Sequence, residues 1–364
     1  MVAIVSTAYS TNTYYKAAAS AQAAGASTAA SATTEQAAAT VTLSDEALAA
    51  LAATDFATVL AGTRTKLAAL LKEADRTSPL EDGKLALDLS SLDARELFAM
   101  ASDDSFSEDE RKAAGLEMQR RFEAAMAGPA AVAEVTGNFS PLYKAAAEYL
   151  DGLGPEEKAG LDWIAGRAAV TEAQKQLQTD PKTMPDAGED DPVALYLALV
   201  EAGQAAQPQD IADVAKSARK TLDALYADAI KAGKAPTFNK QTSVGTYIDM
   251  SAFDSRTLSS IALNTGNKFA AEESSAAKAA LRTKSGAALL AGFQNAAKSS
   301  DPTAFSQNII SIYSSMSAEE RQAAGWSDQF YQAAVESYTS TSKLTQMFAE
   351  AGGGSTGFLS WLGK

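Results

Sequence analysis

Apolar positions recur at spacings of three and four through Phe56, Val59, Leu60, Thr63, Leu67, Leu70, Leu71 and Ala74, which places one stripe on one face of an α-helix. The same spacing returns in Ile211, Val214, Ala215, Ala218, Leu222, Leu225, Tyr226 and Ala229. After each stripe comes a loop with a proline, Pro79 or Pro236, and then a period-two alternation: Leu85, Leu87 and Leu89 in the first, Thr246, Ile248 and Met250 in the second. Alternation of this kind predicts a short strand. One strand per half has no partner in its own half, so the expected pairing runs between the two halves.

Polar residues mark where helices begin. Ser90 with Asp93, and Ser251 with Asp254, stand at the spacing of a capping box in its acidic form. The serine oxygen accepts from an early amide and the carboxylate favours the positive end of the helix dipole, so helices are expected from about Ser91 and Ala252. Ser107 with Glu110 opens another, with Ala114, Met118, Phe122 and Ala125 as its stripe. Ser140-Pro141 and Asp301-Pro302 each read as an N-cap followed by proline at the first helical position. Segments beginning "PEEK" at Pro155 and "AEER" at Ala318 carry acids in a first turn. Each half is thus expected to hold about five helices and one short strand.

The two halves are also written in similar words. Leu87–Phe98 ("LDLSSLDARELF") and Ile248–Ser259 ("IDMSAFDSRTLS") share Asp88/Asp249, Ser90/Ser251, Asp93/Asp254, Arg95/Arg256 and Leu97/Leu258. Upstream, Asp55–Ala74 aligns without a gap with Asp210–Ala229 and pairs Arg64 with Arg219. Downstream, Phe106 and Glu110 meet Phe269 and Glu273, and Leu153–Trp163 meets Met316–Trp326, both tryptophans closing the same pattern. The offset grows a little along the chain, as loop insertions produce. These matches predict a mainly α-helical chain of two tandem homologous multi-helix units. The expected organisation is a low-complexity Ala/Ser/Thr tail over 1–40 and a first unit over 41–178, with a proline- and acid-rich linker over 179–192. A second unit over 193–350 and a Gly-rich tether over 351–364 follow, the tether ending in the apolar cluster Phe358, Leu359, Trp361 and Leu362.

Composition narrows the chemistry. Hydrophobic residues make up 46% and aromatics only 7%, and alanine is so frequent that the cores are expected to be closely packed helices with few bulky anchors. The balance of 31 basic against 45 acidic residues, net −14, repels phosphate backbones and anionic head groups, so nucleic acid is not an expected partner. Cysteine and histidine are both absent. Their absence removes disulfides, thiolates, imidazole bases and the usual zinc, copper and haem ligands, and no metal or other cofactor is expected. No window approaches the roughly 20 apolar residues of a membrane-spanning helix. The opening "MVAIVSTAYSTNTYYK" lacks the basic start and apolar core of a Sec signal, so the expected location is cytoplasmic or exported by another route.

Several residues invite a functional reading. Arg64, Arg219, Arg95 and Arg256 have the fork geometry that clamps a carboxylate ligand; since both copies keep them, ion pairs with Asp88/Asp249 or Glu110/Glu273 inside each unit are the preferred reading. Trp163 and Trp326 read as core anchors in preference to ligand-stacking rings. The run Glu189, Asp190, Asp191 lacks the spaced ligands and central glycine of a calcium loop and reads as a solvated linker. S-x-x-K, S-x-N and K-S-G elements at Ser340, Ser306 and Lys284 run in the reverse of the order that serine acyl-transfer sites use, and are set aside. Phe358, Leu359, Trp361 and Leu362 are the candidate partner-binding anchor.

The expected function is therefore that of a non-catalytic helical interaction or structural protein with a protein partner. Its lack of cysteine, Ser/Thr/Ala-rich start and acidity are also shared by flagellar and type III export substrates. Two alternatives stand beside it. One is a carboxylate-based enzyme drawing an acid and a base from Asp93, Glu110 and Glu157; the other is a small-ligand module using a cleft between the units.

Overall fold

Helices form where the apolar stripes place them, and Asp and Ser side chains start several of them. A computed structural model describes residues 55–206, 208–241 and 243–352, with only the backbone of 348–352. The chain divides between Gln209 and Asp210 into two compact units. The first contains α1 (Phe56–Glu73), β1 (Leu80–Glu81), β2 (Lys84–Leu85), α2 (Ala94–Ser102), α3 (Glu108–Thr136), α4 (Ser140–Asp151), α5 (Pro155–Lys158), α6 (Leu161–Thr179) and α7 (Pro192–Glu201). The second contains α8 (Ile211–Lys231), β3 (Ala235–Thr237), β4 (Gly245–Tyr247), α9 (Ser255–Ala262), α10 (Ala271–Lys298), α11 (Ala304–Ser315), α12 (Ala318–Ala324) and α13 (Asp328–Gly352), with short 3-10 turns at Met250–Ala252 and Thr265–Asn267. The protein is mainly helical, as expected.

Strand pairing differs from the expectation. Each unit holds two short strands that pair with each other: β1 and β2 antiparallel, Leu80 opposite Leu85, and β3 and β4 parallel, Ala235 opposite Gly245. In the first unit a two-residue turn makes this possible, because Asp82 and Gly83 both adopt positive φ (51° and 75°), the geometry that matches the twist of a tight hairpin. The period-two run beyond it supplies core side chains: Leu87 and Leu89 are buried, as are Ile248 and Met250 in the second unit.

Four helix starts also shift. Asp93 and Asp254 are themselves the N-caps, accepting from the amides of Glu96 and Thr257, so α2 and α9 begin three residues later than the serines suggested. The carboxylates win because Asp88 and Asp249 already hold Ser90 and Ser251 in turns, through bonds of 2.9 Å to each backbone N–H. Ser140 lies inside α4, whose cap position is Phe139, and Asp301 folds a turn onto the amide of Thr303, ahead of α11.

The first unit has two apolar layers. Leu67 of α1, Leu97 and Met100 of α2 and Met118 of α3 form one with Leu87, Leu89 and Leu92. The other gathers Phe122 and Met126 of α3 with Leu142, Tyr143 and Leu150 of α4, Val170 of α6 and Tyr196 of α7. In the second unit Leu222, Ile248, Leu258, Ile261, Phe269 and Leu281 form the corresponding centre. Alanines at helix contacts, among them Ala113, Ala114, Ala146, Ala215 and Ala277, are fully buried, and their small size lets the helices approach closely.

The proline- and acid-rich segment 179–192 belongs to the first unit, upstream of the division. Glu189 and Asp190 are exposed as expected of a solvated run, but Asp191 is not. It is 2% exposed, caps α7 through the amides of Val193 and Ala194, and accepts a 2.6 Å bond from the buried Tyr143 hydroxyl. Burial and that bond together push the Tyr143 hydroxyl well above the usual phenol range. Tyr143→Phe is expected to lower stability by about 2 kcal/mol, since a buried carboxylate loses a charge-assisted donor; a urea midpoint equal to wild type would contradict this.

Candidate functional site

Residues that the two units share are committed to internal contacts. Arg95 donates to Glu156 through Nε at 2.8 Å and through Nη2, joining α2 to α5. Hydrogen bonding to Glu156 raises the already basic guanidinium further, and it holds Glu156 below the usual carboxylate range although burial alone would raise it. The matching residues of the second unit, Arg256 and Glu319, approach to 3.6 Å. Arg64 lies over the ring of Phe106 at 4.7 Å, and Arg219 over that of Phe269 at 5.7 Å. Arg219 also pairs with Glu273 at 2.8 Å, to which Tyr226 donates at 2.6 Å. Glu110 and Glu273 reach back to the N–H groups of Ser107 and Ala270. The expected Arg219 pairing with Glu273 is present, whereas Arg95 and Arg256 take partners from the turn before the tryptophan and leave Asp88 and Asp249 to the backbone.

The units depart from each other at two places. In the first unit, the Glu117 side chain is 1% exposed and accepts from Arg120 (both bonds 2.7 Å) and Arg121 (2.8 Å). Arg121 then donates to the carbonyls of Leu92 at 2.8 Å and Leu89 at 3.1 Å, holding the segment before α2 against α3. Burial alone would raise the Glu117 carboxyl, yet the two guanidinium groups outweigh it and the net shift is downward. Close by, burial and the charge of Glu157 push the Tyr149 hydroxyl up. Where these residues stand, the second unit has Ala280, Thr283, Lys284 and Ile312. These positions of the second unit carry no carboxylate that could form such a clamp.

In the second unit, four rings gather where α11, α12 and α13 meet. Tyr313 and Tyr331 lie 4.8 Å apart, Trp326 stands edge-on to Phe330 at 5.2 Å, and Trp326 and Tyr313 are separated by 6.5 Å. Arg321 stacks on Tyr313 at 4.7 Å and donates to the carbonyl of Met316 at 2.6 Å, while the Tyr313 hydroxyl donates to Asp328. Phe330 is 38% exposed and Trp326 is half-buried. The first unit has Leu150 in place of Tyr313 and only Trp163, whose indole N–H donates to the Leu150 carbonyl at 2.8 Å and whose ring packs on the core.

No protein-family model matches this chain, nor does any curated protein or solved structure.

Geometry therefore sorts the candidates. Asp93 and Glu110, offered as an acid and a base, are both consumed by caps, so their oxygens are directed at backbone amides. Glu157 differs from the expectation that helix starts explain these acids. Unlike Glu110 and Glu273, Glu157 does not reach back to the backbone N–H at the cap position, and its Oε2 is buried with no hydrogen-bond partner. Its matched residue Glu320 closes a reciprocal capping box with Ser317, at 2.8 and 3.2 Å. Among the described residues no group of three or more Asp or Glu is placed to hold a metal ion, and no helix is long and apolar enough to cross a membrane. The apolar anchor Phe358, Leu359, Trp361 and Leu362 and the tail over 1–40 lie outside the described residues. Sequence reasoning missed Phe330 and Tyr331 as companions of Trp326; the signal was present as "WSDQFY" (Trp326–Tyr331), an unusual density of aromatics in a chain otherwise poor in them.

Proposed function

We propose that this chain is a non-catalytic helical interaction protein built from two homologous units, with the aromatic corner of the second unit as its docking surface for a protein partner. The observation that carries it is the Tyr313–Trp326–Phe330–Tyr331 group with Arg321, present in one unit only and with Phe330 turned to solvent. Trp, Tyr and Arg are the side chains that dominate binding energy at protein interfaces. Homology of the units rests on matched contacts: Arg95–Glu156 with Arg256–Glu319, Arg64 on Phe106 with Arg219 on Phe269, and the Asp93 and Asp254 caps. A partner segment offering a Lys or Arg beside an aliphatic side chain suits this corner, since the rings accept both and the Asp328 carboxylate lies at the Tyr313 hydroxyl.

The test compares affinity capture on full-length wild type and Phe330→Ser. This position is already partly exposed, so folding is preserved, and the partner retained by wild type is expected to lose at least about tenfold in affinity. Equal retention by both proteins refutes the docking surface. Superposition of residues 55–163 on 210–326 in an experimental structure tests the homology independently.

A further inference from the structure

The turn Pro155–Lys158 presents Glu157 to the inside of the first unit, 7% exposed. Its Oε2 meets no donor. At the matched turn of the second unit the equivalent carboxylate is satisfied by the Ser317 amide, so the same position is neutralised by bonding in one unit and left bare in the other. A buried ionised carboxylate without donors is strongly disfavoured, and the group responds by keeping its proton.

The surroundings do not supply a counter-charge that is free to serve. Glu156, next to it, is engaged by Arg95 of α2. Lys158, on the same turn, donates to the Asp151 carbonyl, and Arg167 of α6 pairs with the Asp151 carboxylate. Glu96 of α2 is held by Lys66. Tyr149 of α4 feels the Glu157 charge, and behind it Arg120 and Arg121 of α3 are committed to Glu117. Gly152, Gly154 and Gly160 flank the turn.

We propose that Glu157 is a proton-operated latch: its neutral carboxyl keeps the Pro155–Lys158 turn seated in the interior of the first unit, and ionisation drives the side chain to water and loosens the connection between α4 and α6. Burial pushes the Glu157 carboxyl up to about 7, with Lys158 opposing weakly. The sign follows from linkage. Below about 4.5 the carboxyl is protonated in both seated and released forms and the seat is at full strength. Between there and about 7 only the seated form keeps the proton, so each pH unit multiplies the opening constant by about ten, and above about 7 it levels off.

Amide hydrogen exchange over residues 154–160 of the full-length protein, from pH 5 to 9 and corrected for intrinsic rates, reads the latch directly. Wild type is expected to lose protection in this window, with the carboxyl-bonded turn 317–325 as an internal control that does not. Glu157→Gln, neutral at every pH, is expected to be flat. Wild-type exchange that parallels Glu157→Gln across the range overturns the proposal, as does a carbon-13 titration of Glu157 at the ordinary glutamate value.

Discussion

Leu97→Ala and Leu258→Ala are each expected to destabilise the protein by about 3 kcal/mol, within the 2–5 kcal/mol range for emptying a fully packed leucine site. Both side chains are fully buried, both sit at the same place in a short helix capped by an aspartate, and both point into the first apolar layer of their unit. The neighbours differ in size: Leu97 meets Leu89, Leu92 and Met100, while Leu258 meets Ile248, Met250 and Ile261. Neither set can collapse far, since the surrounding helices are spaced by buried alanines. Urea denaturation followed by tryptophan fluorescence checks the pair, with Trp163 and Trp326 reporting on the two units. Two comparable losses support matched cores; a silent Leu258→Ala would mean that the second unit is not built around that position.

Glu117→Ala is expected to cost about 3 kcal/mol, by a different route. Removing the buried carboxylate takes from Arg120 and Arg121 the ion pairs they make with it in a partly desolvated site, and it frees the Arg121 fork that holds the Leu89 and Leu92 carbonyls. Glu117→Gln keeps the shape but loses the charge, and should fall between wild type and alanine. The pH dependence has the opposite sign to that of Glu157. With a folded value below the ordinary one, Glu117 contributes stability that is fully present above about 4.5 and is lost as pH falls through its depressed value. Acid titration of wild type against Glu117→Gln measures this: the difference between them should shrink as the pH drops, and a constant gap would contradict the assignment.

Much of the helical framework could be read from side-chain spacing. The helices of the α1 and α8 stripes, the Ser107–Glu110 box and the turns at Pro155 and Ala318 stand where the pattern put them, although Leu225 of the α8 stripe is exposed. The errors lie at short range as well as long. The Asp82-Gly83 hairpin was legible as a turn signal, but strands of two residues carry too little alternation to be recognised. Ser90 suits a cap by spacing as well as Asp93 does, and the competing turn at Asp88, which holds the Ser90 amide, decides between them.

The aromatic corner shows the reach of each kind of information. "WSDQFY" announces rings close in sequence, but Tyr313, which completes the group, arrives from α11 across the α12 turn. Which ring faces solvent follows from the packing of α11 on α13.

What the sequence determined alone is whatever is settled within a turn or two: helical class, the Ser107–Glu110 box, and the exclusion of cysteine and histidine chemistry. These depend on neighbours three or four residues away. Tertiary structure decided that Arg95 takes Glu156 from a distant turn, that Asp191 is buried beneath Tyr143, that strands pair inside each unit, and that Glu157 keeps a bare oxygen where Glu320 does not. Such outcomes turn on which surfaces meet and exclude water, and the cost of burying a charge is set by the partners that the fold brings to it.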